Sequence, residues 1–121
     1  MRKNSTGSAG EKAACAFLEK KGFKIAEKNY NCKIAEIDII AYDIDRTLCF
    51  IEVKTRKNAD YGRPYEFVNS RKQHKMKLGA QCYIKGKNID CEIRFDIVEV
   101  YAHLLDNTVK ITGINHIENA F

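Results

Sequence analysis

Residues 34–56 read IAEIDIIAYDIDRTLCFIEVKTR and contain two apolar runs separated by a polar turn. The runs, Ile34 to Tyr42 and Leu48 to Arg56, are rich in Ile, Val, Phe and Tyr, residues that favour strands. Between them, Asp43-Ile44-Asp45-Arg46-Thr47 is typical of a turn. The stretch therefore predicts a β-hairpin, and this hairpin decides the fold.

Helical and strand patterns surround the hairpin. Ser8 and Glu11 have the spacing of a capping box and Gly22 is a stop signal, so we predict a helix from about residue 9 to 21. A second capping-box spacing at Ser70 opens a longer helix that we expect to end near Gly86. Further expected elements are strands at 23–27, 93–101 and 109–114, a turn or strand start at 29–32 and a short helix at Pro64. This order predicts one α/β domain over residues 1–121, with a central mixed sheet flanked by helices.

The composition fits one ordinary globular domain. A chain of 121 residues, 45% apolar and 31% charged, can bury one core but not two. No apolar run could span a bilayer and the N-terminus lacks the pattern of a signal peptide, so we expect a cytoplasmic protein with no membrane partner. The five cysteines form no Cys-x-x-Cys pair, and we expect reduced, mostly buried thiols.

Positive charge is concentrated in one part of the chain. The formal net charge is +5, but the stretch from Lys54 to Lys77 alone carries eight basic residues against two acids. Such a stretch indicates a surface for a polyanion, although Lys and Arg on a helix are often only its solvated face. The basic residues that we expect to contact a nucleic-acid backbone are Arg56, Lys57, Arg63, Arg71, Lys72 and Lys75.

Charged side chains interrupt both arms of the hairpin. Because side chains alternate along a strand, Glu36 and Asp38 share one face of the first arm. Glu52 and Lys54 share one face of the second. If residues 43–47 form a five-residue loop, Asp38 lies opposite Glu52. Glu36 then lies opposite Lys54, and the same side also carries Ile40, Leu48 and Phe50.

Directly opposed carboxylates repel each other, so Asp38 and Glu52 would need a counter-charge. One of them could take up a proton, Lys54 could bridge them, or a divalent cation such as Mg²⁺ could lie between them. A cation there could polarise a phosphoryl oxygen and lower the pKa of a bound water, which Lys54 could orient. The alternative is a solvated polar face with a weak ion pair between Glu36 and Lys54.

Glu11 has two interpretations. As the third helical position of a capping box, it would stabilise the start of the helix. It also shares a helical face with Ala14, Cys15 and Leu18, which would direct its carboxylate towards the sheet and the acidic cluster. The residues alone leave both interpretations open.

Motifs of several other enzyme classes are missing from the sequence. There is no glycine-rich phosphate loop, no Gly-x-Ser-x-Gly and no pairing of a nucleophilic Cys with His. His74, His103 and His116 are scattered without ligand spacing, and we expect ordinary surface or hydrogen-bonded residues. Kinase, dehydrogenase and serine-hydrolase functions are therefore disfavoured.

The sequence resembles the YraN family of small bacterial proteins, which look like nucleases of the restriction-endonuclease fold and are distantly similar to archaeal Holliday-junction resolvases. The most specific matches are Phe50-Ile51-Glu52-Val53-Lys54-Thr55-Arg56 and the terminal Ala120-Phe121. The other matches are Gly10-Glu11, Ala14, Leu18, Gly22, Asn29, Glu36 to Ala41, Gly62, Lys72, Ala80, Arg94 to Val98 and Asn119. The family usually has Gly before the first acid, where this chain has Ala35.

The resemblance implies a single restriction-endonuclease-like domain with an Asp and Glu-x-Lys nuclease core. Asp38 and Glu52 would be ligands of Mg²⁺ or Mn²⁺, and Lys54 would be the catalytic lysine. Glu11 would be a further acidic residue of the catalytic and metal site. We therefore expect a metal-dependent nuclease that hydrolyses DNA, with branched or single-stranded DNA as candidate substrates.

Other functions stay open at this point. The fold could persist as a nucleic-acid-binding module that does not cut, with the acids and Lys54 in a structural network. A partner-binding adaptor in a nucleic-acid process is a third candidate. The expected partner is nucleic acid, most of all DNA, and assembly of two copies into a homodimer is an open question.

Overall fold

The computed structural model describes residues 5–57 and 68–121. Within these ranges the elements are α1 (Ser5–Lys20), β1 (Lys24–Asn31), β2 (Glu36–Tyr42), β3 (Leu48–Lys57), α2 (Ser70–Lys87), β4 (Ile93–Leu105) and β5 (Thr108–Ile117). The strands form one sheet in the order β1-β2-β3-β4-β5. Strands β3 and β4 are parallel and the other neighbours are antiparallel. The predicted mixed sheet flanked by helices is confirmed, and it is consistent with a restriction-endonuclease-like fold.

The predicted hairpin is formed by β2 and β3. Ile40 lies opposite Phe50 and Tyr42 lies opposite Leu48, which is the predicted register. The Asp43 side chain holds the turn, because its Oδ1 accepts hydrogen bonds from the main-chain N–H groups of Asp45 at 2.8 Å and Thr47 at 2.9 Å.

One helix covers each face of the sheet. Helix α1 buries Ala14 and Leu18 in a cluster that includes Ile39 and Ile51 of the hairpin. On the other face, α2 packs on residues of the hairpin and on Phe95 of β4. The buried residues of this cluster are Ile37, Ile40, Leu48, Phe50, Met76, Ala80, Tyr83 and Phe95. The parallel pairing of β3 and β4 requires a crossover, and α2 lies in it. The two faces of β3 are therefore covered by different helices.

The helix ends differ from the predicted caps. Helix α1 begins at Ser5, so Ser8 is not its N-cap, and Glu11 lies beyond the first turn. Helix α2 is capped by Asn69, whose side chain accepts a hydrogen bond from the main-chain N–H of Lys72. It continues past Gly86 to a left-handed Asn88. Among the described residues, neither helix is long and apolar enough to cross a membrane.

The strands are longer than the sequence predicts at several places. The predicted strand at 23–27 and turn at 29–32 are one strand, β1, with a bulge between Ile25 and Glu27. Strands β4 and β5 also extend past their predicted ends because they pair along most of their length. The predicted short helix at Pro64 lies outside the described residues.

A buried ionic network joins β4 to the hairpin turn and to β5. Asp96 is fully buried and accepts hydrogen bonds from Arg94 Nε at 2.9 Å and from His116 Nε2 at 2.8 Å. Arg94 Nη1 also lies 3.0 Å from Asp43 Oδ2, and Lys21 Nζ lies 2.7 Å from His116 Nδ1. Since an ammonium only donates, His116 accepts at Nδ1 and donates from Nε2. His116 is therefore a hydrogen-bonded residue, as predicted.

The cysteines are free thiols, but the expectation that most are buried is wrong. Cys15 and Cys49 are buried, Cys32 is half-buried, and Cys82 and Cys91 are exposed. Burial raises the pKa of Cys49 to about 12, and burial also raises the pKa of Cys15. Both buried thiols therefore stay protonated and unreactive at neutral pH.

The buried Asp96 makes the fold sensitive to acid. Burial raises the pKa of its carboxyl, but hydrogen bonds from His116, Arg94 and the Asn119 N–H outweigh burial and hold the pKa below the ordinary 3.8. A carboxyl with a lowered pKa stabilises the fold above its unfolded-state pKa, and that contribution is lost as the pH falls through the folded-state pKa.

We therefore expect the free energy of unfolding to fall steeply below about pH 4 in the natural protein and less steeply in Asp96→Asn. At neutral pH, Asp96→Ala should cost about 3 kcal/mol or more, because Arg94 and His116 lose their partner. Urea unfolding between pH 3 and pH 7 measures both effects. An equally steep pH dependence in Asp96→Asn would contradict this assignment.

Candidate active site

The two arms of the hairpin separate at Asp38. The pairing of β2 with β3 ends at Ile39 and Ile51. Beyond this pair, Asp38 Oδ2 accepts a hydrogen bond of 2.8 Å from the main-chain N–H of Val53. A side-chain carboxylate thus takes the place of the β2 main-chain carbonyl that would continue the ladder. The N–H group that it binds belongs to Val53, the residue directly after Glu52.

Strand β2 rotates at the same residue. Ile37 packs in the cluster under α2, whereas Ile39 packs in the cluster under α1. Residues two apart in a regular strand share a face, so the alternation is broken at Asp38. Asp38 is half-buried and, with Ile39, lines a cleft of about 260 Å³ beside α1.

Glu52 belongs to the other face of the sheet. It continues the row of Leu48 and Phe50 towards the first turn of α2. The residue is 7% exposed, and its buried Oε2 has no hydrogen-bond partner in the part of the chain that the structure describes. Lys72 Nζ lies 3.4 Å from this oxygen, which is an ion pair by distance although its angles do not make a hydrogen bond.

The predicted arrangement of the four charged residues is therefore wrong in one respect. The sequence predicts Glu36, Asp38, Glu52 and Lys54 on one side, with each acid directly opposite its partner. The rotation of β2 instead directs Asp38 to the α1 side, and Glu36 with Lys54 lies beyond the paired part of the hairpin. Glu36 is exposed and Lys54 is half-buried. Asp38 and Glu52 thus face different helices on either side of the opening between the strands, and each carboxylate has its own partner.

Glu11 lies in the same cleft as Asp38. Its helix approaches β3 closely because Gly10 faces Thr55, and a Cβ at Gly10 would overlap Thr55 Oγ1. Since α1 begins at Ser5, the capping interpretation of Glu11 is wrong. The position of Glu11 in one cleft with Asp38 agrees with the second interpretation, in which the residue lies between α1 and the sheet.

The carboxylates do not form a complete metal cage. Among the described residues, no group of three or more His, Cys, Asp or Glu is close enough to hold a metal ion. Carboxylate oxygens are nevertheless the ligands that Mg²⁺ prefers, and Mg²⁺ commonly binds one or two carboxylates together with water and substrate phosphate. The buried Oε2 of Glu52, which accepts no hydrogen bond, fits such a cation.

The basic residues expected to bind nucleic acid occupy different environments. Lys57, Arg71 and Lys75 are exposed. Arg56 is committed to the fold, because its Nε lies 2.6 Å from Oε2 of the fully buried Glu99. Arg63 lies outside the described residues. Lys72 is half-buried and contacts Glu52, an ion pair that the basic pattern of α2 did not indicate.

A larger cavity lies elsewhere, at the hairpin turn. Its volume is about 770 Å³, and its walls include Gly22, Tyr42, Ile44 and Ile89. The Asp43 carboxylate in this cavity already binds two turn N–H groups and Arg94. The smaller cleft with Glu11 and Asp38 is therefore the better candidate for chemistry.

The packing of α2 on the hairpin leaves room for the Ala35 side chain. Gly79 of α2 packs on the hairpin, where a Cβ at Gly79 would lie 3.2 Å from the Ala35 Cβ and 3.3 Å from Ile37 Cδ1. The absence of a side chain at Gly79 thus leaves room for the Ala35 methyl group.

Comparisons with known proteins find one family that matches most of the chain. The model of the uncharacterised protein family UPF0102 matches residues 10–100. A UPF0102 protein of Caldanaerobacter subterraneus subsp. tengcongensis is 46% identical over 122 residues, which cover 100% of this chain and 98% of that protein. A UPF0102 protein of Clostridioides difficile is 45% identical over 122 residues, covering 100% of both chains. These names state no activity, so the function is argued from the site.

Gly10 should be essential for the position of Glu11. We expect Gly10→Ala to lower the free energy of unfolding by about 1–3 kcal/mol, because its Cβ overlaps Thr55 Oγ1 and α1 must shift. Thr55→Ala should restore part of this loss in the double variant, since it removes the overlapping oxygen. The matched control is Gly86→Ala, where a Cβ meets nothing within 4 Å, and it should stabilise α2. Thermal unfolding of the four variants tests this, and no recovery in the double variant would contradict it.

Proposed function

The chain belongs to the UPF0102 family, which is the YraN family that its motifs indicated, and we propose that it is a metal-dependent nuclease that hydrolyses phosphodiester bonds of DNA. One observation supports the proposal: within residues 5–57 and 68–121, the buried Glu52 Oε2 accepts no hydrogen bond, and it lies where the pairing of the hairpin strands has ended. A buried carboxylate oxygen without a hydrogen bond is costly unless positive charge compensates it. The Lys72 ammonium, 3.4 Å away, supplies charge without a hydrogen bond, whereas a divalent cation would bind the oxygen directly.

Each residue near the opening would have its own role in hydrolysis. Asp38 and Glu52 would hold Mg²⁺ or Mn²⁺, with Glu11 as a further acid from the cleft beside α1. The bound cation would polarise a phosphoryl oxygen and lower the pKa of a bound water. Lys54 lies on the face of Glu52, so its ammonium can orient that water or offset charge on the phosphate. The nucleophile is water, and no covalent enzyme intermediate is required.

Nucleic acid is the proposed substrate because exposed basic residues lie near the site. Residues Lys57, Arg71 and Lys75 are exposed and lie near the ends of β3 and α2 that flank the site. Phosphate contacts of this kind give salt-sensitive affinity and little sequence readout. Action on DNA would place the protein in the cytoplasm, and branched or single-stranded DNA is the proposed substrate class.

A binding module that does not cut is the second candidate, and one observation favours it. Asp38 already binds the Val53 N–H, Glu52 already has Lys72 as a counter-ion, and no three-ligand group exists among the described residues. In that function the acids and lysines would hold the hairpin and α2 together. DNA binding without metal binding would favour this candidate.

Cleavage assays with matched variants separate the two functions. We expect Mg²⁺- or Mn²⁺-dependent cleavage of linear, single-stranded, flapped or four-way DNA, and a loss of about a hundredfold or more in Asp38→Asn, Glu52→Gln and Lys54→Ala. The amide introduced by Asp38→Asn keeps an oxygen for the Val53 N–H, so folding should be retained. The control is Asp90→Asn, an exposed acid after α2. Equal cleavage by the natural protein and all three site variants would contradict the assignment of these residues to the active site.

Salt dependence tests the DNA surface separately from catalysis. The logarithm of DNA affinity should fall linearly with the logarithm of salt concentration, and each of Arg71→Gln and Lys75→Gln should reduce the slope by about 0.7 to 0.9. Fluorescence anisotropy with EDTA present measures binding without cleavage. Salt-independent affinity, or none at all, would point to the partner-binding adaptor instead.

A further inference from the structure

The ion pair between Lys72 and Glu52 joins the first turn of α2 to the opening of the hairpin. Glu52 is the buried partner, with 10% of its side chain exposed, whereas 40% of the Lys72 side chain is exposed. The 3.4 Å contact lacks the angles of a hydrogen bond, so Glu52 Oε2 keeps an unused lone pair. The ammonium therefore compensates the charge of Glu52 without satisfying its hydrogen-bonding capacity.

The main chain of Lys72 is fixed while its ammonium is not. Its N–H donates to Asn69 Oδ1 at 2.9 Å, and the neighbouring Gln73 Nε2 donates to the Val68 carbonyl at 2.7 Å. These bonds tie the first turn of α2 to the two residues that precede it. A lysine has a flexible four-carbon stem, so its ammonium can leave Glu52 without moving the helix.

From this geometry we propose that Lys72 is the built-in counter-ion of Glu52 in the metal-free protein and competes with the divalent cation for that carboxylate. The inference rests on the proposed function and adds a positioning residue to it. Glu52 exchanges one positive partner for another, and the exchange breaks and forms no covalent bond. When the cation binds Glu52, the Lys72 ammonium becomes available to a substrate phosphate beside it.

The exchange links metal binding to DNA binding. An ammonium paired with Glu52 contributes little to attraction of a phosphate, but a released ammonium contributes a full charge. Because coupling between two ligands is reciprocal, DNA should raise the affinity for metal as metal raises the affinity for DNA. Before the metal binds, Lys72 would thus compensate the negative charge of the buried Glu52 carboxylate.

The test is calorimetric titration of MnCl₂ into the full chain without DNA. Lys72→Gln removes the competing charge but keeps a neutral donor for Glu52, and we expect it to bind Mn²⁺ about twofold to fivefold more tightly than the natural protein. Lys72→Arg should bind Mn²⁺ more weakly, because a guanidinium holds a carboxylate better than an ammonium does. Lys85→Gln, which removes an exposed charge from the last turn of α2, is the control and should leave the affinity unchanged.

The sign of the change separates competition from a structural role. If Lys72 only held Glu52 in place for the metal, Lys72→Gln would bind Mn²⁺ more weakly and Lys72→Arg about as well as the natural protein; that pattern would overturn the inference. Unchanged affinity in both variants would also overturn it while leaving the nuclease proposal intact. If the natural protein and both variants bind no Mn²⁺, the proposed function fails together with the inference. Circular dichroism of each variant verifies that it is folded.

Discussion

The hydrogen bond from the Val53 N–H to the Asp38 carboxylate marks the point on which the arrangement of the site depends. Up to Ile39 and Ile51 the hairpin is an ordinary antiparallel ladder. If β2 continued in that ladder, Asp38 and Glu52 would repel each other across the pair. The strand instead rotates, and the Asp38 side chain takes over the main-chain donor. The opening created in this way separates Asp38, on the side of α1, from Glu52, on the side of α2.

Acidic residues at the opening and in the core are stabilised by different means. Asp96 and Glu99 are fully buried on β4, and each has specific donors: Arg94 and His116 for Asp96, and Arg56 for Glu99. Buried ionic groups require such partners. Glu52 is nearly as buried, yet its Oε2 has only the Lys72 contact. Glu52 thus differs from the two carboxylates of β4, whose hydrogen bonds join neighbouring strands.

Individual residues show which features of the structure the sequence pattern predicts and which it does not. The β-branched runs of the hairpin and the turn chemistry of Asp43 predict the register correctly, since both depend on local sequence. The alternation rule fails at Asp38, because a rotation of the strand cannot be seen in a list of residue types. The spacing of Ser8 and Glu11 predicts the wrong cap, since the helix extends one turn earlier to Ser5. Glu11 therefore lies beyond the first turn, where it lines the cleft with Asp38.

The sequence by itself determined the α/β class, the hairpin with its register, the two helix faces and the identity of the acidic and basic residues. These follow from periodicity, turn chemistry and composition, which are properties of nearby residues. Only the tertiary structure decided that Asp38 faces α1, that Glu52 faces α2 and that Lys72 is its counter-ion. Those contacts join residues far apart in the chain, and they depend on how closely each helix approaches the sheet, as at Gly10 and Gly79.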